Sequence, residues 1–435
     1  MHSSALPSIG THDLARLVHD GDAVVVDARP SDAYNGWPLR GESRGGHVTG
    51  ARSLPAKWCD YLDWIEVVRS KRIRPEHRVV LYGYDDEAER AAHRFRGSGW
   101  NDVAVYPHFV DEWSADASLP MDRLARWNHL VPPAWLSDRI EEGSIGADDG
   151  QMALLHTHYR NPDDYVLGHV PGALPVDTNS LESTETWNRR SPDEVAAVLA
   201  DLGITADTTV VLYGRCSHPR PEDPFPGSSA GHIAAFRCAW ILLWAGVRDV
   251  RILDGGLQSW IDDGLPVSTE PTPAPTRREF GRTLPAEPDL AVDLYEARHM
   301  LASDTADLVC VRSEPEYRGE VSGYDYIERR GRIPGAVFGH CGSDAYHMEN
   351  YRNLDHTTRE FHEVSAAWTA AGLAPGRRTA FYCGTGWRGS EAFFNAWFQG
   401  WPDVAVFDGG WFEWSNDPSN PVEVGSLQPP LNRLR

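Results

Sequence analysis

At 435 residues, 41% hydrophobic and 24% charged, the chain is long enough for about three folded domains and too apolar to be mainly disordered. Its 63 Asp and Glu against 41 Lys and Arg give a formal net charge of -22, which repels nucleic-acid backbones and anionic membranes, and no apolar run approaches the length of a membrane span. The six cysteines form neither a CxxC pair nor a Cys/His cluster with zinc spacing, so no metal or other cofactor is expected, and the absence of a secretion signal in MHSSALPSIGTHDL points to a reduced, cytoplasmic setting.

The first apolar run, AVVVDAR (Ala23 to Arg29), lacks polar alternation and is expected as a strand buried on both faces of a parallel sheet. A Gly-rich turn follows, GGHVTGARSLP (Gly45 to Pro55), then a second strand, RVVLYG, ending at Gly83, a helical segment, and a third strand within DVAVYPHFVDEW. The same succession returns twice. MALLHTHYR (Met152 to Arg160), LGHVPGALPV (Leu167 to Val176), TVVLYG ending at Gly214, and DVRILDGGLQSW make the second copy. DLVCVRS (Asp307 to Ser313), GRIPGAVFG (Gly331 to Gly339), RTAFYC ending at Cys383, and DVAVFDGGWFEW make the third.

Strands alternating with helical runs such as EVAAVLADLG and SAAWTAAGL imply βα units with right-handed crossovers. The expected fold class is α/β: three α/β/α modules, each a mostly parallel sheet flanked by helices. The modules are placed at residues 1–127, 128–275 and 284–424, with linkers at LVPP (Leu130 to Pro133) and EPTPAPTRR (Glu270 to Arg278), and a tail at 425–435.

The loop after the second strand separates the modules. In the first, Gly83 is followed by Asp85, Asp86 and Glu87, whose charge repels anions, so this module is expected to be silent. In the second, Cys216 comes two positions late and opens a Pro-rich loop before a helix expected near Ser228. The third reads YCGTGWRGS (Tyr382 to Ser390). This short Gly-rich span can turn successive N–H groups inward as an anion nest, reinforced by the helix N-terminus, favouring the nucleophilic thiolate of Cys383. A buried cysteine is otherwise an inert small hydrophobe, the role assigned to Cys238 and Cys310 within their apolar runs.

Cys-x-x-x-x-Arg-Gly-Ser after a strand, with GRIPGA upstream and DGGWFEW downstream, resembles the rhodanese superfamily of sulfurtransferases, and the recurrence of these pieces extends the resemblance over nearly the whole chain. The resemblance implies that Cys383 accepts sulfane sulfur as a persulfide, that Gly384, Thr385, Gly386, Trp387 and Arg388 form the cradle, and that the inactive modules shape the cleft or the assembly. Tyr382 and Asp408, beside the cysteine and the Gly-Gly turn, join the substrate-binding set. Arg388 would bind an anionic donor such as thiosulfate or polysulfide, or brace the loop. Trp387 would wall the acceptor site or anchor packing. Cys216, with His218 nearby, would at most relay sulfur. Asp27-Ala28-Arg29 keeps the family's Asp-x-Arg, whereas Cys310-Val311-Arg312 replaces it and puts that brace in question in the third module.

The third module also carries EYRGEVSGYDYIERRGRIPGA and GHCGSDAYHMENYRNLDHTTREF, polar segments of the kind that line sites. Tyr324 and Tyr326 offer phenols for proton transfer, and His340, Asp344, His347, Asn350 and Asp355 are further polar candidates. One cradled cysteine in a three-module chain, with YCGTGWR and this tyrosine-bearing insert, looks like the anaerobic ergothioneine synthases, which move polysulfide sulfur onto imidazole C2 of hercynine. That resemblance implies a proton-transfer role for Tyr324, and cation–π support of a trimethylammonium group by Trp387 and neighbouring aromatics.

A thiosulfate or mercaptopyruvate sulfurtransferase delivering sulfur to cyanide, thiols or a protein carrier is the alternative enzyme, and a non-enzymatic scaffold the alternative of another class. Phosphatase activity is disfavoured because four residues, not five, separate Cys383 from Arg388. The expected partners are a small-molecule sulfur donor and acceptor, without nucleic acid or membrane; a homodimer is compatible with the sequence.

Overall fold

The unalternated apolar runs are the central strands of three separate parallel sheets. The computed structural model describes residues 6–145, 151–216 and 231–426. His218, the Pro-rich loop around it, the helix start expected near Ser228 and most of the tail lie outside the described residues. The chain divides into two compact units, Met1–Asn128 and His129–Arg435. The first holds one module and the second holds two.

In the first module, β1 (Val24–Asp27) lies between β2 (Arg52–Ser53) and β3 (Val79–Tyr82), with β4 (Val103–Val105) beyond, in the order β2-β1-β3-β4. All three pairings are parallel. Val26, Leu81 and Val103 face one apolar layer with Phe95 of helix α1 (Glu87–Gly97), while Val25, Val80 and Ala104 face another with Leu14 and Phe109. Burial on both faces explains why these strands show no alternation.

The second module orders β5 (Leu130–Val131), β6 (Met152–His158), β7 (Leu174–Asp177), β8 (Thr209–Gly214) and β9 (Asp249–Leu253) as β5-β9-β8-β6-β7. Its helices include α2 (Gly231–Ala245) and α3 (Gly256–Asp262). The LVPP segment, expected as a linker, therefore supplies an edge strand; at two residues β5 is too short to carry a periodic signal. The Pro-rich stretch after the module also packs onto it, through Arg278 N–H to Ala200 O at 3.1 Å and Ala206 N–H to Phe280 O at 2.9 Å.

The third module repeats this order with β10 (Ala291–Val292), β11 (Ala306–Cys310), β12 (Val337–Phe338), β13 (Arg378–Tyr382) and β14 (Val404–Phe407), as β10-β14-β13-β11-β12. Helices α4 (Glu314–Arg318), α5 (Trp387–Phe398) and α6 (Gly410–Asn416) bear on the site.

The strand registers align the three copies: Asp27 pairs with Tyr82, His156 with Tyr213 and Cys310 with Tyr382. Arg29 closes the Asp-x-Arg brace on Asp27, at 2.9 and 2.6 Å, and also reaches Glu42. In the third module Arg312 Nε lies 3.3 Å from Cys310 Sγ and Nη2 donates to Gly331 O at 2.5 Å; Arg29 makes the matching contact to Gly46 O at 2.7 Å, so the carbonyl half of the brace is kept and a sulfur stands where the carboxylate was. Cys310 and Cys238 are fully buried.

The second and third modules pack through α2 and α5, with Phe236 and Phe394 rings 5.6 Å apart. Every residue of α2 is buried, as expected of a helix that is apolar nearly all round. The acidic residue before each Gly-Gly turn receives the other module's insert. Thr358 N–H and Oγ1 donate to Asp254 at 2.7 and 3.0 Å, and Arg189 N–H and Nη1 donate to Asp408 at 3.0 and 2.6 Å. Among the described residues no helix is long and apolar enough to cross a membrane.

Candidate active site

Cys383 follows the last residue of β13 and stands four residues before α5 begins, at the carboxyl end of a parallel strand where such sheets place ligands. Its side chain is buried. The carbonyls of the loop are turned away from it: Cys383 O and Gly384 O accept from Trp411 and Phe412 N–H at 2.8 and 2.9 Å, and Gly386 O accepts from Ser390 N–H at 2.8 Å. Gly410, at φ +53, lets α6 come this close; a Cβ there would lie 2.8 Å from Cys383 O. Gly386, at φ +88, takes the left-handed turn into α5. The N–H groups of Gly384, Thr385, Gly386 and Trp387 find no acceptor among the described residues. Together with the start of α5 they are the kind of donors from which an anion nest is built.

The sister loops differ. In the first module Tyr84 N–H donates to Glu87 at 2.9 Å, so the loop's own carboxylate takes the amide, and burial pushes that carboxyl up to about 7. In the second, Cys216 Sγ lies 3.4 Å from Gly255 O, and burial pushes its thiol up to about 12. Thr357 and Thr358 of the third module cover the neighbouring Asp254–Gly255 turn.

Arg388 is buried and forks onto Glu316, with both N–O distances 2.9 Å. It also donates to Asp344 O at 2.9 Å and to the Tyr324 hydroxyl at 3.2 Å, and lies 3.2 Å from Cys341 Sγ. Burial alone would raise the Glu316 carboxyl, but the Arg388 charge holds it below the usual range. Its engagement corresponds to a brace, one of the two roles considered from sequence. Burial drives the Tyr324 phenol well up, opposed by Arg388 and reinforced by Cys383. The Tyr324 ring covers Gly384 so closely that a Cβ there would overlap it.

Thr385 and Trp387 line a cleft with Tyr324, Tyr326 and Tyr346. Tyr382 lies elsewhere: its side chain enters the core with Cys310, Tyr317 and Phe407. Asp408 is buried beside the loop, its carboxylate paired with Arg237 and Arg189, each at 2.6 Å, and these charges hold its pKa down against burial. The other polar candidates separate. Asp344 reaches the site through its carbonyl while its carboxylate meets His347 at 2.7 Å; Asn350 donates its N–H to Cys341 O at 3.1 Å; Asp355 bonds Thr357 at 2.6 Å. His340 packs on Phe338, with ring centroids 4.1 Å apart.

The far wall comes from the second module and was absent from the sequence-based site. Tyr159, Trp187 and Ile233 complete the cleft. Tyr159 meets Trp387 edge-on at 5.2 Å, and Trp187 stacks on Tyr326 at 5.2 Å. Beneath them Arg237 joins Glu182 (3.0 Å) and Asp408, and Trp387 Nε1 donates to Glu182 at 2.8 Å. Burial pushes the Glu182 carboxyl up to about 7, with Arg237 opposing and Asp408 adding to the rise. A signal for this network was present: Arg237 is a lone cation within the apolar helix GHIAAFRCAWILLWA, and a buried charge requires a partner.

The chain matches known proteins along nearly its whole length. The rhodanese-like domain profile matches residues 11–116, 133–263 and 293–417. Thiosulfate sulfurtransferase YnjE of Escherichia coli (strain K12) is 39% identical over 409 residues, 93% of this chain and 89% of that protein. The wild-type structure of EanB is 54% identical with a TM-score of 0.94, covering 98% of this chain and all of that one. A structure of an EanB Tyr→Phe variant with a cysteine persulfide, in a tetrahedral intermediate state with ergothioneine, is 55% identical, covers 97% of this chain and 100% of that one, and has a TM-score of 0.93. The anaerobic ergothioneine biosynthesis enzyme from Chlorobium limicola, in complex with trimethyl histidine, is 54% identical with a TM-score of 0.94, covering 97% of this chain and 100% of that one. With the domain profile matched three times along its length, the chain belongs to the rhodanese family.

Proposed function

We propose that this sulfurtransferase carries sulfane sulfur as a persulfide on Cys383 and transfers it to imidazole C2 of hercynine, giving ergothioneine. The observation that carries the proposal is the meeting of three features at one cleft: the loop that follows Cys383, which lines it through Thr385 and Trp387, the Tyr324 phenol, and an aromatic wall containing Tyr159, Trp187, Tyr326 and Trp387. The EanB structures with hercynine and ergothioneine support the same acceptor.

In the transfer, a C2–S bond forms while the C2–H and S–S bonds break. The S–S electron pair leaves on Cys383, where the loop N–H groups stabilise the thiolate. The C2 proton departs toward Tyr324. Burial keeps that phenol protonated at rest, so it acts as a relay that gives one proton as it receives another, with Arg388 fixing its oxygen. Aromatic faces suit the trimethylammonium group, which offers no hydrogen-bond donor. The six unpaired thiols fit a reducing cytoplasmic setting.

The similarity to YnjE favours one second reading, a thiosulfate sulfurtransferase with a simple thiol or cyanide acceptor. One experiment tests both. The protein is charged with polysulfide or with thiosulfate, the Cys383 peptide is weighed, and hercynine, cyanide and dithiothreitol are offered in turn. Discharge by hercynine with release of ergothioneine is expected. Discharge by cyanide or thiol alone would leave the second reading, and no added sulfur on Cys383 would sink both.

A further inference from the structure

We infer that Arg160 is the anchor for the acceptor's carboxylate and thereby selects a betaine over a simple quaternary ammonium. The inference rests on the proposed acceptor. Arg160 follows Tyr159 directly after β6, at the carboxyl end of the central sheet of the second module. Its guanidinium lies 4.9 Å from the Tyr159 ring centroid and 5.9 Å from that of Trp187, two of the rings that wall the cleft.

Arg160 is exposed and has no carboxylate partner among the described residues, in a protein where acids outnumber bases by 63 to 41. The two carboxylates that bear on the neighbouring Tyr159 are engaged elsewhere. Glu182 takes Arg237 and Trp387, and Asp177 takes the Asn179 N–H at 3.0 Å. The backbone of Arg160 is left-handed, φ +55, a conformation uncommon for a residue with a long side chain and characteristic of functional positions when the surroundings enforce it.

An unpaired cation beside an aromatic wall would repel a ligand bearing only positive charge. Hercynine carries its carboxylate on the same carbon as the trimethylammonium group, so an Arg beside two of the cleft's aromatic rings and the rings themselves match the two charges of one substrate end. The imidazole arm is then free to reach Cys383. A guanidinium supplies paired N–H donors in the geometry a carboxylate accepts.

Steady-state transfer with polysulfide in excess as the sulfur donor would be measured for wild type, Arg160→Gln and Arg160→Lys, with hercynine and with its carboxylate-free analogue, the trimethylammonium derivative of histamine. The expected result is a KM for hercynine raised about 10-fold in Arg160→Gln, the loss of one charge-assisted contact, with partial recovery in Arg160→Lys and no rise for the analogue. The mass of charged Cys383 checks that each variant keeps its site. An unchanged KM for hercynine in Arg160→Gln, or equal increases for both compounds, would overturn the inference while leaving hercynine as acceptor. Failure of wild type to convert hercynine at all would overturn the proposed function and this inference with it.

Discussion

Trp387 Nε1 donates to both carboxylate oxygens of Glu182, at 2.8 and 3.0 Å, so the residue that begins the helix after Cys383 is held by the neighbouring module. The same carboxylate meets Arg237, and both side chains are fully buried. The second module thereby fixes one edge of the third module's loop.

This link has a pH signature. Burial moves the Glu182 carboxyl from its ordinary value of 4.5 up to about 7. Between those values the folded protein holds a proton that the unfolded chain has released, so stability falls as pH rises through the window. Glu182→Gln, which cannot ionise, should remove about 2 kcal/mol of that decline. Urea unfolding of wild type and variant from pH 5 to 8 measures the difference, and parallel curves would contradict it.

Gly384 marks a second point of contact, because a Cβ on it would overlap the Tyr324 ring. Gly384→Ala should displace the phenol while sparing the sulfur of Cys383. Persulfide formation is expected to persist, and transfer to hercynine to fall roughly 100-fold, the usual scale of a lost proton-transfer group. Tyr324→Phe should give the same split without steric change. Single-turnover kinetics of charged enzyme separate the two steps; equal loss of both in Tyr324→Phe would count against a proton-transfer role.

Arg388 and Glu316 form a buried fork whose removal from one side leaves an uncompensated charge. Glu316→Ala should therefore destabilise the fold by about 3 kcal/mol, read as a lower urea midpoint at neutral pH. It should also loosen Tyr324, which depends on Arg388 for its hydrogen bond. A variant as stable as wild type would show that the pair is dispensable.

The parts legible in the sequence were those encoded within one short segment. Apolar runs without alternation marked the central strands, and Cys383 with Gly384 and Gly386 marked the cradle, because backbone requirements leave local residue preferences. Tyr324 was accessible through the composition of its insert. Glu182, Tyr159 and Trp187 were not, since each acts across a module boundary on residues far away in the chain and each sits in a segment explicable by its own module; Arg237 announced a buried charge but not its partners. Arg388 shows an intermediate case. Its position after Cys383 was clear, but its partner Glu316 occupies an ordinary capping box on α4, where Ser313 already accounts for a glutamate.

The aromatic wall yields the remaining prediction. Trp187 stacks nearly parallel to Tyr326, at 5.2 Å and 23°, so it both offers a face and fixes the neighbouring ring. Its backbone carbonyl accepts from Arg237 Nη2 at 3.1 Å, a contact that survives side-chain replacement. Trp187→Ala should therefore preserve the buried ion network while removing one cation-binding face and freeing a second. The KM for hercynine should rise about 10-fold or more, the scale of a desolvated cation–π contact. Cyanide has no cation to hold and should discharge the Cys383 persulfide at the wild-type rate. Comparing the two acceptors on the same charged enzyme separates a binding wall from a structural prop, because a weakened cradle would slow both.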